Sequence, residues 1–160
     1  MYTYHPVVEI LVKSFGTTPQ SLEPLHEQLL AYRENTEGLK EVMLKHKVTG
    51  ESEFQQALAA YYELEYRDNF NDVPVVREFT EFIPIRYAKK NIFFPLKKTR
   101  NTLEVAITNP ELSQPLDDLA RHFKCHIQSV ISHKQAVLDL INRAYDESSA
   151  STEDAVDLLD

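Results

Sequence analysis

The sequence predicts an α+β protein in which a helical subdomain precedes a small α/β sandwich. Apolar residues recur at intervals of three and four through roughly the first 66 residues, the spacing of amphipathic helices. Residues 92–96 form an apolar run, and residues 102–108 alternate between apolar and polar positions. A polar turn separates the two stretches, so we predict two strands. Residues 68–74 are rich in turn formers and separate the two patterns. A chain of 160 residues is long enough for one domain or two small subdomains.

Residues 1–67 are predicted to form the helical subdomain, and residues 68–74 the connection. The helices are short and joined by short turns, so none would be stable alone and their apolar stripes must pack together. The predicted stripes are Leu22, Leu25, Leu29 and Tyr32, then Leu39, Val42, Met43 and His46, then Phe54, Ala57, Leu58 and Tyr61. A weak similarity between residues 10–22 and residues 42–54 leaves a tandem helical unit open.

Residues 75–146 are predicted to run helix, strand, strand, helix, strand, helix. The first helix would extend through Phe79 and Ala88, and a hairpin would follow between residues 92–96 and 102–108. Ser132 and Gln135 have the spacing of a capping box before the last helix. We therefore expect a three-stranded, mainly antiparallel sheet packed by helices.

Charge and hydropathy narrow the class of protein. The net charge of −8 argues against a nucleic-acid binder, because such proteins carry a basic footprint. Apolar runs stay well short of the roughly 20 residues that cross a bilayer. The first residues lack a basic leader and a cleavage site, so we expect a cytoplasmic protein without direct membrane insertion. Residues 147–160 are acidic and Ser-rich, which predicts a linker.

The sequence shows few of the residue patterns that are typical of an enzyme active site. Its three glycines, Gly16, Gly38 and Gly50, cannot form a phosphate-binding loop, and a P-loop motif is absent. The six histidines show no paired metal-ligand spacing, and Cys125 is expected to be a buried hydrophobe. Asp117 and Asp118 are adjacent and therefore point about 100° apart on a helix. We predict no catalytic residue, no cofactor and no metal, and assign the two aspartates to the helix dipole.

One stretch stands out against the net charge. Residues 82–103 contain no acid but six bases, next to Tyr87 and Phe93 as candidate exposed aromatic residues. These bases could form an acceptor for an acidic partner surface. The alternative is two ordinary solvated faces, one on a helix and one at the hairpin turn. The candidate partner-binding residues are Arg86, Lys89, Lys90, Lys97, Lys98 and Arg100.

The order of motifs resembles the N-terminal domain of the type II secretion and type IV pilus assembly ATPases. The family's usual form is a basic helix, a short Leu-Pro-Leu strand, a Leu-x-Val-Ala strand ending in Asp-Pro or Asn-Pro, and a helix with Leu-Asp-Asp-Leu. The matching stretches here are residues 82–96, residues 102–110 and residues 116–119, read as FIPIRYAKKNIFFPL, TLEVAITNP and LDDL. The resemblance extends over about residues 38–146.

This resemblance implies a docking or regulatory domain without catalysis. Such a domain precedes its own ATPase domain in a hexamer and binds the cytoplasmic part of an inner-membrane assembly-platform protein. It implies a location peripheral to the bacterial inner membrane, in either protein secretion or pilus assembly. The P-loop would then lie in the ATPase domain, beyond residue 160.

Some relatives in this family bind cyclic di-GMP through a tandem helical motif, and the present chain departs from that motif. Gly38 stands where the family has an arginine, and Lys40 and Lys47 stand at its two glycines. Both the guanine-stacking arginine and the close backbone approach would be missing. Despite these differences, a cyclic-di-GMP sensing domain of the same family is the alternative function.

Overall fold

The computed structural model describes the backbone of residues 4–159 and the side chains of residues 4–147. The chain divides into two compact units, residues 1–66 and residues 67–160. None of the described helices is long and apolar enough to cross a membrane.

The first unit consists of helices. They are α1 (Pro6–Ser14), α2 (Pro19–Leu22), a 3-10 turn (Glu23–Leu25), α3 (His26–Ala31), α4 (Thr36–Lys45) and α5 (Glu51–Tyr62). Nine residues of the three predicted stripes are buried and form one cluster with Val7, Val8 and Leu11 of α1. Tyr32 is partly buried against this cluster, whereas His46 and Tyr61 are exposed, so the stripes are narrower than predicted. The cluster shows why these short helices are stable, since each buries a face that it could not bury alone.

The second unit contains α6 (Arg77–Phe82), α7 (Ile85–Asn91), β2 (Phe93–Lys98), β3 (Thr102–Ile107), α8 (Gln114–Phe123), β4 (His126–Ile131) and α9 (Lys134–Leu159). The predicted single helix through Phe79 and Ala88 is wrong, because it breaks at Ile83, which is extended with φ −101° and ψ 118°. A proline disfavours helical backbone in the residue before it, and Pro84 follows Ile83. Pro84 then precedes the first turn of α7.

The sheet has four strands in the order β1-β4-β3-β2, where β1 is the two-residue strand Glu65–Tyr66. The α+β class is confirmed, but the prediction of three mainly antiparallel strands is wrong. Strands β2 and β3 are antiparallel, as the hairpin predicted, whereas β3 and β4 are parallel in continuous register from Thr102–His126 to Ile107–Ile131. Helix α8 connects β3 to β4, and a strand–helix–strand crossover gives a parallel pair.

The predicted capping box before α9 is also wrong. The backbone N–H of Ser132 donates to the Ile107 carbonyl at 3.1 Å, so it is not free for Gln135. The Gln135 side chain instead donates to Asp139 at 2.8 Å. His133 provides the cap, because its Nδ1 accepts from the backbone N–H of Ala136 at 3.4 Å.

Helix α9 continues to Leu159, so the predicted acidic linker at 147–160 coincides with its last part. The side chains of residues 148–160 lie outside the described residues. The predicted subdomain bounds, with residues 1–67 and 75–146 joined by a connection at 68–74, stay a prediction.

Candidate interaction surface on helices α7 and α8

The three basic residues of α7 share one exposed helix face. Arg86, Lys89 and Lys90 are all exposed, while Ala88 is buried against the rest of the unit. Residues three and four apart lie next to each other on a helix surface, so Arg86 with Lys89 and Arg86 with Lys90 are neighbours. Lys89 and Lys90 also lie in the last turn of α7, where cations complement the helix dipole.

The other three predicted bases lie elsewhere. Lys97 and Lys98 end β2, and Arg100 is exposed in the turn that follows. Because a strand rises about 3.3 Å per residue, the end of β2 lies roughly 16 Å from Phe93, which is close to α7 in the chain. The structure therefore brings three of the six bases together on α7 and separates them from the hairpin group.

The lysines at the hairpin end have nearby acids. Lys97 is paired with Glu104 across the two strands, a favourable opposite-charge arrangement. The Lys98 ammonium lies 3.8 Å from a carboxylate oxygen of Glu78 and 5.5 Å from the centre of the Phe123 ring. These partners leave less net positive potential here than on α7.

An apolar groove of about 540 Å³ lies beside the basic face of α7. Its walls are the α6–α7 junction, the start of β2 and one face of α8. Most of the lining is apolar, and α8 contributes its two charged residues. The residues are Phe82, Ile83, Pro84, Tyr87, Phe93, Pro115, Asp118, Leu119, Arg121 and His122.

Aromatic contacts shape the groove. The rings of Phe82 and His122 are stacked, with centroids 3.7 Å apart and planes inclined by 9°. Tyr87 packs edge-on against Phe93 at 5.6 Å. Phe93 is only 1% exposed, so the prediction that it is an exposed aromatic residue is wrong, since the strand turns it inward under Tyr87. Phe82, by contrast, is 36% exposed and available for contact.

Asp118 and Arg121 are charged residues of the groove, and the sequence analysis assigned neither of them to a site. Asp118 accepts a hydrogen bond from the Tyr87 hydroxyl at 3.4 Å and from the Gln114 amide at 3.3 Å. The Arg121 guanidinium forms an ion pair with Asp118 at 3.7 Å, on the same carboxylate oxygen that accepts from Gln114. Burial raises the pKa of Tyr87, and the Asp118 charge and hydrogen bond raise it further, so Tyr87 stays a neutral donor.

A helical spacing could have identified Asp118. Pro115, Asp118, Leu119 and His122 follow the pattern i, i+3, i+4, i+7 and line the groove together. Asp117, in the first turn, is the residue suited to the dipole role predicted for both aspartates. Cys125 is buried, as predicted. Among the side chains of residues 4–147, no group of three His, Cys, Asp or Glu residues could hold a metal ion.

Known proteins share this fold. A solved structure of MshE with cdg has a TM-score of 0.66 at 18% identity, over 87% of this chain and 98% of that one. A structure of the N-terminal domain of XpsE has a TM-score of 0.62, also at 18% identity, over 89% of this chain and 98% of that one.

A curated relative gives the wider context. The type IV pilus assembly ATPase PilB of Myxococcus xanthus (strain DK1622) is 24% identical over 148 residues. The match takes in 92% of this chain but only 25% of PilB, so the chain spans a quarter of that relative's length. The chain thus corresponds to a non-catalytic N-terminal domain, and the ATPase domain lies outside it. The model of the MshEN domain family matches residues 62–151, more than half of the 160 residues, and the chain belongs to that family of N-terminal domains of type II secretion and type IV pilus assembly ATPases.

Proposed function

We propose that this domain docks its assembly ATPase onto the cytoplasmic part of an inner-membrane platform protein. The observation that supports this most is the exposed basic face of α7, Arg86, Lys89 and Lys90, in a chain whose net charge is −8. A local positive face on an acidic protein favours an acidic partner surface and orients its approach. The proposed location, peripheral to the bacterial inner membrane, follows from such a partner.

The groove beside α7 supports the same proposal. Interfaces commonly combine an apolar, aromatic-rich centre with a polar rim. Here the exposed rings of Phe82 and His122 would form part of the centre, and Arg86 and Lys90 part of the rim. In the intact protein the domain would act beside its own ATPase domain in a hexamer, and its part would be positioning and not chemistry.

A pull-down with the cytoplasmic part of the cognate platform protein tests the proposal. The variant Arg86→Glu, Lys89→Glu, Lys90→Glu reverses the α7 face. We expect the dissociation constant to rise about tenfold or more, because three favourable contacts become repulsive.

The matched control carries Arg33→Glu, Lys45→Glu and Lys47→Glu. It reverses one arginine and two lysines that are equally exposed, but in the first unit. A second comparison, Lys97→Glu, Lys98→Glu and Arg100→Glu, is expected to weaken binding less because these lysines already face acids. Unchanged binding of the α7 variant would refute the basic docking surface.

Binding of cyclic di-GMP is the second candidate, and the likeness to the fold of MshE solved with cdg favours it. The side chains of the first unit argue against it. The Tyr32 ring occupies the space beside Gly38 and would clash with a Cβ added there. Lys40 is largely buried and forms an ion pair with Glu51 at 3.2 Å.

Lys47 adds a further obstacle to this second candidate. Its backbone is left-handed with φ 56°, the conformation that glycine adopts most freely, yet a long side chain stands there. Titration calorimetry with cyclic di-GMP tests the candidate directly. We expect no heat of binding at about millimolar nucleotide, whereas saturable heat would make the domain a nucleotide sensor.

A further inference from the structure

We propose that the acidic segment 146–160 of one copy docks into the α7–α8 groove of a second copy, against the basic face of α7. This inference does not depend on docking to a membrane platform, because it concerns only this chain. The two occupants would share Arg86 and Lys90, so a docked segment would compete with a partner for that face.

The groove is suited to an amphipathic helix. Its exposed apolar floor includes the stacked rings of Phe82 and His122, and Phe82 retains 36% of its exposure. On α7, Arg86 and Lys90 lie one turn apart, and Tyr87, three residues before Lys90, lines the groove. A helix lying in the groove would therefore meet apolar rings on one side and two cations on the other.

The segment has the complementary composition. Residues 146–160 contain six acids and no base, the opposite of residues 82–103 with six bases and no acid. Within residues 153–160, four apolar residues and four acids follow helical spacing, with Ala155, Leu158 and Leu159 at intervals of three and four. A sequence of this kind pairs an apolar stripe with an acidic one.

The position of α9 favours a second copy over the same one. The Tyr145 hydroxyl donates to the carbonyl of Ile83, which lines the groove, so α9 passes the groove at this point. Asp146 and Glu147 are already exposed, and the helix continues to Leu159, about 18 Å further at 1.5 Å per residue. Returning to its own groove would require the helix to break and lose backbone hydrogen bonds.

Contact between the acidic segment of one copy and the groove of the next is heterologous. Such contacts join copies head to tail and form rings when the rotation closes. The inference thus predicts self-association of the chain that is concentration-dependent and weakened by salt, since the pairing charges are exposed.

Sedimentation velocity on the full chain, over a range of concentrations at low salt, tests this with charge swaps. One variant carries Arg86→Glu and Lys90→Glu, and another carries Glu153→Lys and Asp157→Lys. Each is expected to lower the association constant about tenfold, because favourable charge pairs become like-charge pairs. The control, Arg33→Glu with Lys45→Glu, makes the same charge change in the first unit and is expected to associate like the unmodified chain.

The combined variant with all four substitutions tests whether the acidic segment pairs directly with Arg86 and Lys90. It restores opposite charges across the contact, so its association constant should recover to within about threefold of the unmodified chain. An equimolar mixture of the two double variants should also associate more than either alone. A chain that stays monomeric up to about 1 mM, or a combined variant no better than the double variants, would overturn the inference.

Discussion

Tyr145 links helix α9 to the junction between α6 and α7 through a single polar contact. Its hydroxyl donates to the carbonyl of Ile83, a buried residue. Its ring packs edge-on against Phe94 at 5.7 Å. Burial raises its pKa from 10.0 to about 12. One residue therefore fixes both the edge of the groove and the start of the acidic segment.

We predict that Tyr145→Phe lowers the free energy of unfolding by about 1 kcal/mol at neutral pH. The substitution keeps the ring against Phe94 but leaves the Ile83 carbonyl without its donor. Urea unfolding measures the loss. Tyr61→Phe, at a tyrosine that is 42% exposed, is the control, with an expected change below about 0.5 kcal/mol.

We predict that the difference in free energy of unfolding between the unmodified chain and Tyr145→Phe depends on pH. Because the pKa of Tyr145 is higher in the folded chain than in the unfolded chain, its contribution is complete below pH 10 and declines as pH rises towards 12. The stability difference between the unmodified chain and Tyr145→Phe should therefore shrink over this range. A constant difference would show that the buried hydroxyl does not have the raised pKa.

Single residues were predictable from the sequence where one property decides their position. Cys125 is buried, as its apolar character suggested. Phe93 and Asp118 were assigned wrongly because their positions depend on which elements meet. The sequence places Phe93 next to bases, but β2 turns its ring under Tyr87 from α7.

At the scale of the element, three helices end on left-handed residues that are not glycine. Glu63, Ile92 and Lys124 are the residues after α5, α7 and α8, with φ of 57°, 51° and 56°. Residues with a Cβ adopt this conformation at a cost of about 1 kcal/mol or more. The chain's few glycines are used elsewhere, so its helix ends lack the usual sequence signal.

We predict that Lys124→Gly raises the free energy of unfolding by about 0.5 to 1 kcal/mol. Lys124 is exposed, so the substitution removes strain without removing packing. Chemical denaturation of the purified variant measures the gain.

Lys89→Gly, inside α7, is the matched control for this helix-end substitution. It makes the same chemical change in regular helix and should lower stability by about 1 kcal/mol. If both variants are destabilised alike, the left-handed end of α8 is not strained.

Elements with strong periodicity were predictable, and their ends were not. Strand β3 begins at Thr102, as expected from the alternation of residues 102–108. The break between α6 and α7 depends on Pro84 acting on Ile83, and the start of α9 depends on His133. Both boundaries are set by local contacts, and the periodic spacing of apolar residues does not report such contacts.

At the scale of the whole molecule, most of the fold was predictable from the order of helices and strands along the sequence. This order predicted the α+β class, the hairpin and the family. The parallel pairing of β3 with β4 was missed, although the crossover through α8 requires it. The short strand Glu65–Tyr66 was missed because two residues carry no periodicity.

The proposed function rests on surfaces of the second unit. Asp118 accepts hydrogen bonds from Tyr87 and Gln114 at the groove and forms an ion pair with Arg121. The charge contrast between α7 and the rest of the chain favours recognition of another protein. The fold divides the six predicted bases between α7 and the hairpin end, and their role in binding a partner stays a prediction.

NMR titration of the isotope-labelled chain with the cytoplasmic part of the platform protein tests the docking claim most directly. We predict chemical-shift changes concentrated in the amides of α7, Ile85–Asn91, and on the groove face of α8 around Asp118 and His122. Shifts confined to residues 4–66, or no shifts at near-millimolar partner, would contradict the docking claim.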